Sequence, residues 1–397
     1  MPLMTTFTKG LRRVKSRLSP SIKEPRVRRR LSALPPPPGE SPFAVYFADG
    51  PDAVYQVDQW LPVFERLAAS GTPVSLLMTN ADSAARLLSD CPLPIELCTT
   101  SSATEAFVDT HRVRVIFYLN NNQANFTTLR INGPFHVHLS HGESEKSSMV
   151  SNQLKAYDAA FIAGPASRER ILHHVRRIDP SHLVEVGRPQ LDFPQPPLSK
   201  PHLEPVVLYA PTWEGDSSAM AYSSLAGTGI DLIRTLRMDP RVNLRFRPHP
   251  KTGTCSSKYA RALREARLLI RESSPRPARQ PKPPKFLDAI SDISQADVVI
   301  TDVSAMAMDA VGLNKPLMVL APSAIPAASL TTRIQDHVTT WSTLPRDAVD
   351  QVLIAARNGP GAQQKKFRDH VFGPPELGTG TERFIQAAHN LLRSAGR

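Results

Sequence analysis

A chain of 397 residues that is 41% hydrophobic and 21% charged has the make-up of a soluble globular protein, with room for two domains of ordinary size plus tails. No apolar run approaches the roughly 20 residues that a membrane-spanning helix needs, and the start, MPLMTTFTKGLRRVKSRL, lacks the apolar core and small-residue cleavage site of a secretory signal. A cytoplasmic protein is therefore expected, and the three cysteines (Cys91, Cys98 and Cys255) lack the paired spacing of a zinc knuckle or redox dithiol and read as reduced packing residues.

The net charge of +12 is concentrated at one end. Residues 1–30 hold ten Lys or Arg against one acid, Glu24, which is +9 and leaves +3 for the rest. This basic arm, residues 1–40, joins the body through Pro35–Pro38. One reading is a solvated tail. The other starts from Phe7, Leu11, Val14 and Leu18, which fall at helical spacing among the cations and suit an anionic membrane surface, met through residues 9–30. Nucleic acid is not expected as a partner, because no aromatic-interleaved RNA signature or zinc finger accompanies the charge.

After the prolines, short β-rich segments alternate with amphipathic helical ones, the pattern of a parallel sheet covered by helices. Strands are expected at 43–47, 74–78, 113–118, 135–139, 159–162 and 183–186, with helices over 58–69 and 167–177. A second series is expected at 206–209, 243–247, 268–271, 298–301 and 317–320. Six prolines in RPQLDFPQPPLSKPHLEP (188–205) place a stiff connection between the two series. The expected organisation is an arm (1–40), an N-terminal domain (41–190), a linker (191–205) and a C-terminal domain (206–397). A second proline-rich stretch, 272–285, reads as a surface loop before a helix starting near Phe286, and 381–392 reads as a closing helix.

Four strand ends gather polar groups, and in open α/β sheets ligands bind beyond the carboxyl ends of strands. In FHVHLSHGESEK the strand runs into His141, Gly142 and Lys146, so a base and a cation would share one place. The alternative is an incidental surface histidine. A metal reading of His136, His138 and His141 has no acidic or cysteine ligand tied to it by spacing. In NLRFRPHP, period 2 sends Arg245 and Arg247 to one side, and prolines fix His249 on both flanks. Arginine suits phosphate oxygens and histidine moves a proton near neutral pH; a solvated basic edge is the alternative.

In VVITDVSAMAMDAVGLNKP an apolar strand ends in Thr301, Asp302 and Ser304, residue types that cap the helix expected over 305–311. Its N-terminus would hold a diphosphate, while Asp309 within it faces either cleft or solvent. In VVLYAPTWEGD a strand runs into Thr212 and Trp213, the latter suited to stacking on a base or to packing. There is no G-x-G-x-x-G fingerprint after a strand, P-loop, nucleophile elbow or H-E-x-x-H, which disfavours dehydrogenase, P-loop kinase, serine hydrolase and zinc protease.

Taken in order, the segments His-Gly-x-x-x-Lys (141–146), Gly-Arg-Pro-Gln-Leu-Asp (187–192), Leu-Tyr-Ala-Pro-Thr-Trp (208–213), Arg-Pro-His-Pro (247–250), Ile-Thr-Asp-x-Ser with Asp309 (300–309) and Gly-Thr-Glu-Arg (380–383) resemble the CDP-glycerol glycerophosphotransferase family of teichoic acid polymerases and primases. The resemblance covers about Phe135 to the C-terminus. It implies an α/β, GT-B-like fold of two Rossmann-like domains facing a central cleft, with the donor held mainly by the C-terminal one. It implies His141, His249 and Asp309 as the residues needed for transfer, and Lys146, Thr212, Arg247, Thr301, Asp302, Ser304 and Arg383 as donor-binding residues.

The implied partners are CDP-glycerol or a related CDP-alcohol and a lipid-linked or polymer acceptor, on the cytoplasmic face of the membrane. No cofactor or metal is implied. Val303, Ser304 and Ala305 stand where the family usually has Tyr-Ser-Ser, Gln190 stands where arginine is usual, and Ser140 and Glu143 replace a bulky Trp and a Thr. The rival readings are a GT-B glycosyltransferase using a nucleotide sugar and a non-catalytic membrane- or polymer-binding protein.

Overall fold

Runs of β-branched and aromatic residues form the strands of the first part of the chain: β1 (Phe43–Phe47), β2 (Val74–Met78), β3 (Ile95–Leu97), β4 (Val115–Tyr118) and β5 (Phe135–His138). Between them lie α1 (Glu24–Leu31), α2 (Tyr55–Ala69), α3 (Ala81–Leu87), α4 (Ser101–Thr110) and the single turn α5 (Asn125–Thr128). The computed structural model describes residues 24–140, 142–145, 149–193, 204–215, 222–271, 287–321 and 333–395. They make two units, residues 1–137 with 391–397 and residues 138–390.

In the first unit the strands follow the order β3-β2-β1-β4-β5, and β1 pairs with β2 and β4 in parallel. Every residue of β1 and β2 is buried, as parallel strands covered on both faces require. Phe43 and Phe64 pack against Phe117 with centroids 5.7 and 5.8 Å away, contacts that contribute about 0.5–1.5 kcal/mol each beyond their buried area. Asn80 and Thr100 cap α3 and α4, accepting from the Ser83 and Ala103 amides at 3.0 and 3.2 Å; such caps are worth about 1 kcal/mol each.

The basic arm is not a free tail over its whole length. Helix α1 turns Val27 inward to 4% exposure, and Arg28 donates to the Leu97 carbonyl at 3.2 Å and to Thr99 Oγ1 at 3.3 Å. Arg26, Arg29 and Arg30 stay exposed. One apolar residue on the inner face is enough to dock the helix, while Phe7, Leu11, Val14 and Leu18 lie outside the described residues.

In the second unit β6 (Ala159–Ile162) and β7 (Leu183–Glu185) pair in parallel around α6 (Pro165–His174). The second series is a five-stranded sheet of β8 (Val206–Ala210), β9 (Asn243–Phe246), β10 (Val298–Thr301), β11 (Leu317–Leu320) and β12 (Thr339–Trp341), in the order β12-β11-β10-β8-β9. Its helices are α7 (Ile230–Met238), α8 (Ser257–Arg271), α9 (Leu287–Ser294), α10 (Ala305–Gly312), α11 (Ala348–Asn358) and α12 (Ala362–Phe372), before the closing α13 (Gly380–Ser394). Alternation along β8 feeds two cores. Leu208 and Ala210 join Met308, Val311, Phe367 and Val371 on one face, whereas Val207 and Tyr209 join Ile233, Leu236 and Trp341 on the other. Burying each large aliphatic side chain contributes about 1.5–3 kcal/mol.

The strand expected at 268–271 is instead the last turn of α8. The run Leu268-Leu269-Ile270 reads as β, but Tyr259, Ala262, Leu263, Ala266 and Ile270 repeat at helical spacing and pack on the core, leaving Leu268 58% exposed. The short strands β3 and β12 were not anticipated. Most of the 191–205 connection and the whole of 272–285 lie outside the described residues. Because β9 and β10 flank β8 on opposite sides, the strand order reverses between β8 and β10, and this switch point sets the position of the site.

Candidate active site

At the switch point one carboxylate ties two loops together. Asp302, fully buried after β10, accepts from the Thr212 amide at 2.8 Å through Oδ2 and from the Ser224 amide at 3.2 Å through Oδ1. Thr301 Oγ1 donates to the Ala210 carbonyl at 2.6 Å and lies 3.3 Å from Ser304 Oγ. Ser304 holds the N-cap position of α10 in an extended conformation, but its side chain makes no cap hydrogen bond. The side-chain cap expected of Thr301, Asp302 and Ser304 is thus absent at the N-cap, because Asp302 serves the loops and Thr301 serves β8. The first-turn amides of α10 and its dipole therefore keep their affinity for an anion.

Gly142 of the first histidine motif abuts that same helix end. A Cβ placed on Gly142 would lie 3.2 Å from the Cβ of Ala305, the first residue of α10, so glycine permits the close approach. Ser140 Oγ donates to the Gly142 carbonyl at 2.6 Å. His141 and Lys146 lie outside the described residues, but the chain next to them is held firmly. Glu143 accepts from Ser167 Oγ at 2.8 Å and pairs with Arg170 of α6, both partners of the ion pair being buried. Glu145 accepts from the Ile334 amide at 2.8 Å. Burial pushes the Glu145 carboxyl up to about 7, against the lowering effect of the Ile334 amide and Arg170.

At the end of β9, Arg245 and Arg247 do reach the same side: Arg245 Nη1 donates to Gln295 Oε1 at 2.8 Å, and Arg247 Nη1 pairs with Asp292 of α9 at 2.5 Å. His249 Nδ1 accepts from the Lys251 amide at 3.1 Å. A neutral His249 ring therefore carries its proton on Nε2 and offers a donor there. The ring lies over Trp213, centroids 6.2 Å apart and planes at 23°, with Lys251 Nζ 5.2 Å from the Trp213 ring.

Glu214, which the sequence did not single out, fixes this corner. It accepts from the amides of Gly253 and Cys255 at 2.9 Å and Ser256 at 3.1 Å. Burial raises its pKa, but those amides outweigh it and leave the carboxyl below its usual value. Its place directly after Thr212-Trp213 was the available signal.

Asp309 faces neither cleft nor solvent. It pairs with Arg188 Nε at 3.0 Å, with the two side chains 2% and 5% exposed. Arg188 Nη1 also donates to Gln190 Oε1 at 3.2 Å. Gly187 has φ +76°, and a Cβ there would meet Arg383 Nη2 at 2.2 Å, so the closing Gly380 to Arg383 segment packs directly on the 187–190 turn. Arg383 Nη2 donates to the Phe372 carbonyl at 2.8 Å. Its Nε and Nη1, like Gln190 Nε2, are buried with no hydrogen-bond partner among the described residues. Burial draws the Arg383 pKa below its ordinary value, opposed by Asp192 and Glu185.

The histidines of β5 serve packing. His136 Nδ1 lies 2.7 Å from the Tyr118 hydroxyl and Nε2 lies 3.0 Å from the Ile131 carbonyl, while His138 packs on Tyr157.

Two parallel-sheet α/β units with this switch point define the GT-B class, and solved structures agree. The chain is similar to a putative UDP-N-acetylglucosamine 2-epimerase from Listeria monocytogenes, with TM-score 0.59, 11% identity and 89% of this chain and 97% of that one covered. It is similar to the wall teichoic acid polymerase TagF, with TM-score 0.57, 14% identity and 98% of both chains covered. It is also similar to S. aureus MnaA with UDP, with TM-score 0.54, 12% identity and 88% and 97% covered. No curated protein sequence matches. Residues 135–324, which carry the His141, Asp302 and Asp309 motifs, match the family described as CDP-Glycerol:Poly(glycerophosphate) glycerophosphotransferase. The resemblance read from the motifs holds over those residues, and the match supports a CDP-glycerol glycerophosphotransferase-type enzyme.

Proposed function

We propose that the protein moves glycerol phosphate, or a similar polyol phosphate, from a CDP-alcohol to a hydroxyl of a teichoic-acid-like surface polymer or its lipid-linked primer, releasing CMP. The observation that carries this reading is the approach of Gly142, the residue after His141, to Ala305 at the N-terminus of α10, where Ser304 makes no side-chain cap, within the family-matched residues. A base and an anion-holding helix end are the two parts that transfer of a phosphoryl group from a nucleotide diphosphate needs. A variant of TagF, which shares this fold, has been solved after a soak with CDPG, and the family match supports the same donor class here.

In this reading the acceptor oxygen attacks the distal phosphorus, its proton passes to His141, and the bond from that phosphorus to the bridging oxygen breaks as CMP leaves. His249 donates through Nε2 to the departing phosphate, and the amides at the start of α10 take up the charge that moves onto it. Arg247 serves from its pairing with Asp292, and Lys146 adds a cation beside His141. Thr212, Thr301, Asp302 and Ser304 shape the loops beside the diphosphate. Arg383, two of whose nitrogens have no hydrogen-bond partner among the described residues, reaches the donor from the closing segment. Asp309 acts through Arg188 by holding the 187–190 turn against α10, and is a positioning residue.

Residues 206–397 hold the donor and residues 41–190 serve the acceptor side. The arm holds the enzyme to the inner face of the membrane, with Arg26, Arg29 and Arg30 exposed for that purpose. Among the described residues no helix is long and apolar enough to cross a membrane.

The test is CMP release from CDP-glycerol and CDP-ribitol beside UDP release from UDP-sugars. The parent protein should turn over a CDP-alcohol, and His141→Ala and His249→Ala should each lower the rate by about 100-fold or more. Parent-like CMP release by both variants, or turnover of UDP-sugars alone, overturns the proposal.

A further inference from the structure

The charge of the folded body is unevenly placed. Of the net +12, residues 1–30 account for +9, leaving +3 for everything after them. Helix α8 alone carries Lys258, Arg261, Arg264, Arg267 and Arg271 against Glu265, a net +4 in 15 residues. A single helix outweighs the surplus of the whole body. All five cations are exposed, and among the described residues none of them forms an ion pair, while the lone acid, Glu265, is taken by Arg234 of α7.

Their positions recur every three or four residues, and at 3.6 residues per turn they wind over the outward half of the helix as a broad stripe about 20 Å long, at a rise of about 1.5 Å per residue. The opposite face is already spent: Ala262 and Ala266 are buried, and Tyr259, Leu263 and Ile270 pack on the core. An interfacial membrane helix needs a free apolar face, and α8 has only Leu268 to offer. What α8 presents is charge, four-fifths of it arginine, whose planar fork fits phosphate oxygens. The stripe also leads to a ligand-sized space. Lys258, at its start, lines a cavity of about 250 Å³ with Ser223, Ser224, Thr228 and Trp341, beyond the carboxyl ends of β11 and β12.

We propose that the exposed face of α8 is a docking track for a linear phosphodiester polyanion, the acceptor chain of the transfer reaction. The naming of that chain as acceptor rests on the function proposed above. A polymer with a phosphate in every repeat meets several guanidinium groups at once, and each contact after the first is made at high effective concentration. A single nucleotide cannot span the stripe. Docking along α8 would hold a growing chain near the site between successive additions.

The test uses the full chain and a fluorescent glycerol phosphate oligomer of defined length, with binding followed by anisotropy across a salt series. Replacing Arg261, Arg264 and Arg267 together by glutamine should weaken binding by about tenfold or more and lower the slope of log affinity against log salt by about 2, because each lost phosphate contact removes about 0.7–0.9. The matching triple lysine variant should keep most of the affinity and slope. CMP release with a single-unit acceptor should match the parent in both variants. Failure of the parent to bind the oligomer, or an unchanged affinity and slope in the glutamine variant, overturns the proposal. It is equally overturned if the variant loses binding only to phosphatidylglycerol vesicles and not to the oligomer. If oligomer binding follows α8 while no CDP-alcohol is turned over by the parent, the track stands and the transferase reading falls.

Discussion

Removing the carboxylate of Asp309 separates its structural role from its chemical one. Asp309 and Arg188 are 2% and 5% exposed and 3.0 Å apart, so Asp309→Asn leaves a buried guanidinium without its counter-ion. Breaking a buried pair from one side costs about 3–5 kcal/mol, whereas replacing both partners by apolar groups of similar volume is close to neutral or stabilising. In a unit of this size 1 kcal/mol moves the melting temperature by about 2–4 °C, so the single variant should melt about 10 °C lower and Arg188→Met with Asp309→Leu should recover most of that loss. Differential scanning calorimetry at pH 7 reads the first effect and CMP release reads the second. If melting and CMP release both recover in the double variant, Asp309 acts through Arg188. A stable double variant without CMP release would mean that Asp309 touches the reacting groups. An Asp309→Asn protein that melts with the parent would refute the reasoning altogether.

Glu145 makes a prediction about pH. Its folded pKa of about 7 lies above the unfolded value of 4.5, so the folded state binds the extra proton and stability falls as pH rises from about 4.5 to 7. Glu145→Gln, which keeps an oxygen for the Ile334 amide, should flatten this dependence and gain up to about 3 kcal/mol at pH 8, read by urea unfolding across pH. Glu214 has the opposite sign: its depressed pKa gives stability that is present above the unfolded value and lost as pH falls through the folded one. Glu214→Ala should cost about 2–3 kcal/mol by orphaning three amides, and chemical denaturation at pH 7 measures it. Gly142→Ala crowds Ala305 at 3.2 Å and should lower CMP release by about tenfold with a near-parental melting temperature, since a shift of an ångström at a reacting group is costly. Gly187→Ala forces φ +76° on a residue with a Cβ that would strike Arg383, and should cost at least about 1–2 kcal/mol by thermal melting.

Much of the second sheet was legible because it is locally written. Val206–Ala210, Val298–Thr301 and Leu317–Leu320 are apolar runs bounded by turn residues, and each became a strand. Leu268–Ile270 has the same local signature, yet tertiary packing of Ala262 and Ala266 made it helix. The short strands β3 and β12 hold three residues each, too few for a period to declare itself. In the candidate site the strand ends could be found from sequence, but their linkages could not. Asp302 looked like a helix cap because capping is a local rule, while its amide partners lie 90 and 78 residues away. Glu145 and Ile334 are 189 residues apart, and nothing in either neighbourhood points to the other. Asp309 was read on a helix with two faces to choose from, and only the packed structure supplied Arg188.

The two-armed grip of Asp302 has a consequence for loop length. Thr212 and Ser224 are held by the same side chain, so the two ends of the connection between them are pinned at one point. The entropy of closing such a loop grows only with the logarithm of its length, a doubling costing about 0.6 kcal/mol. A change of length between Glu214 and Ser223 therefore costs little closure entropy while both anchors stay in place.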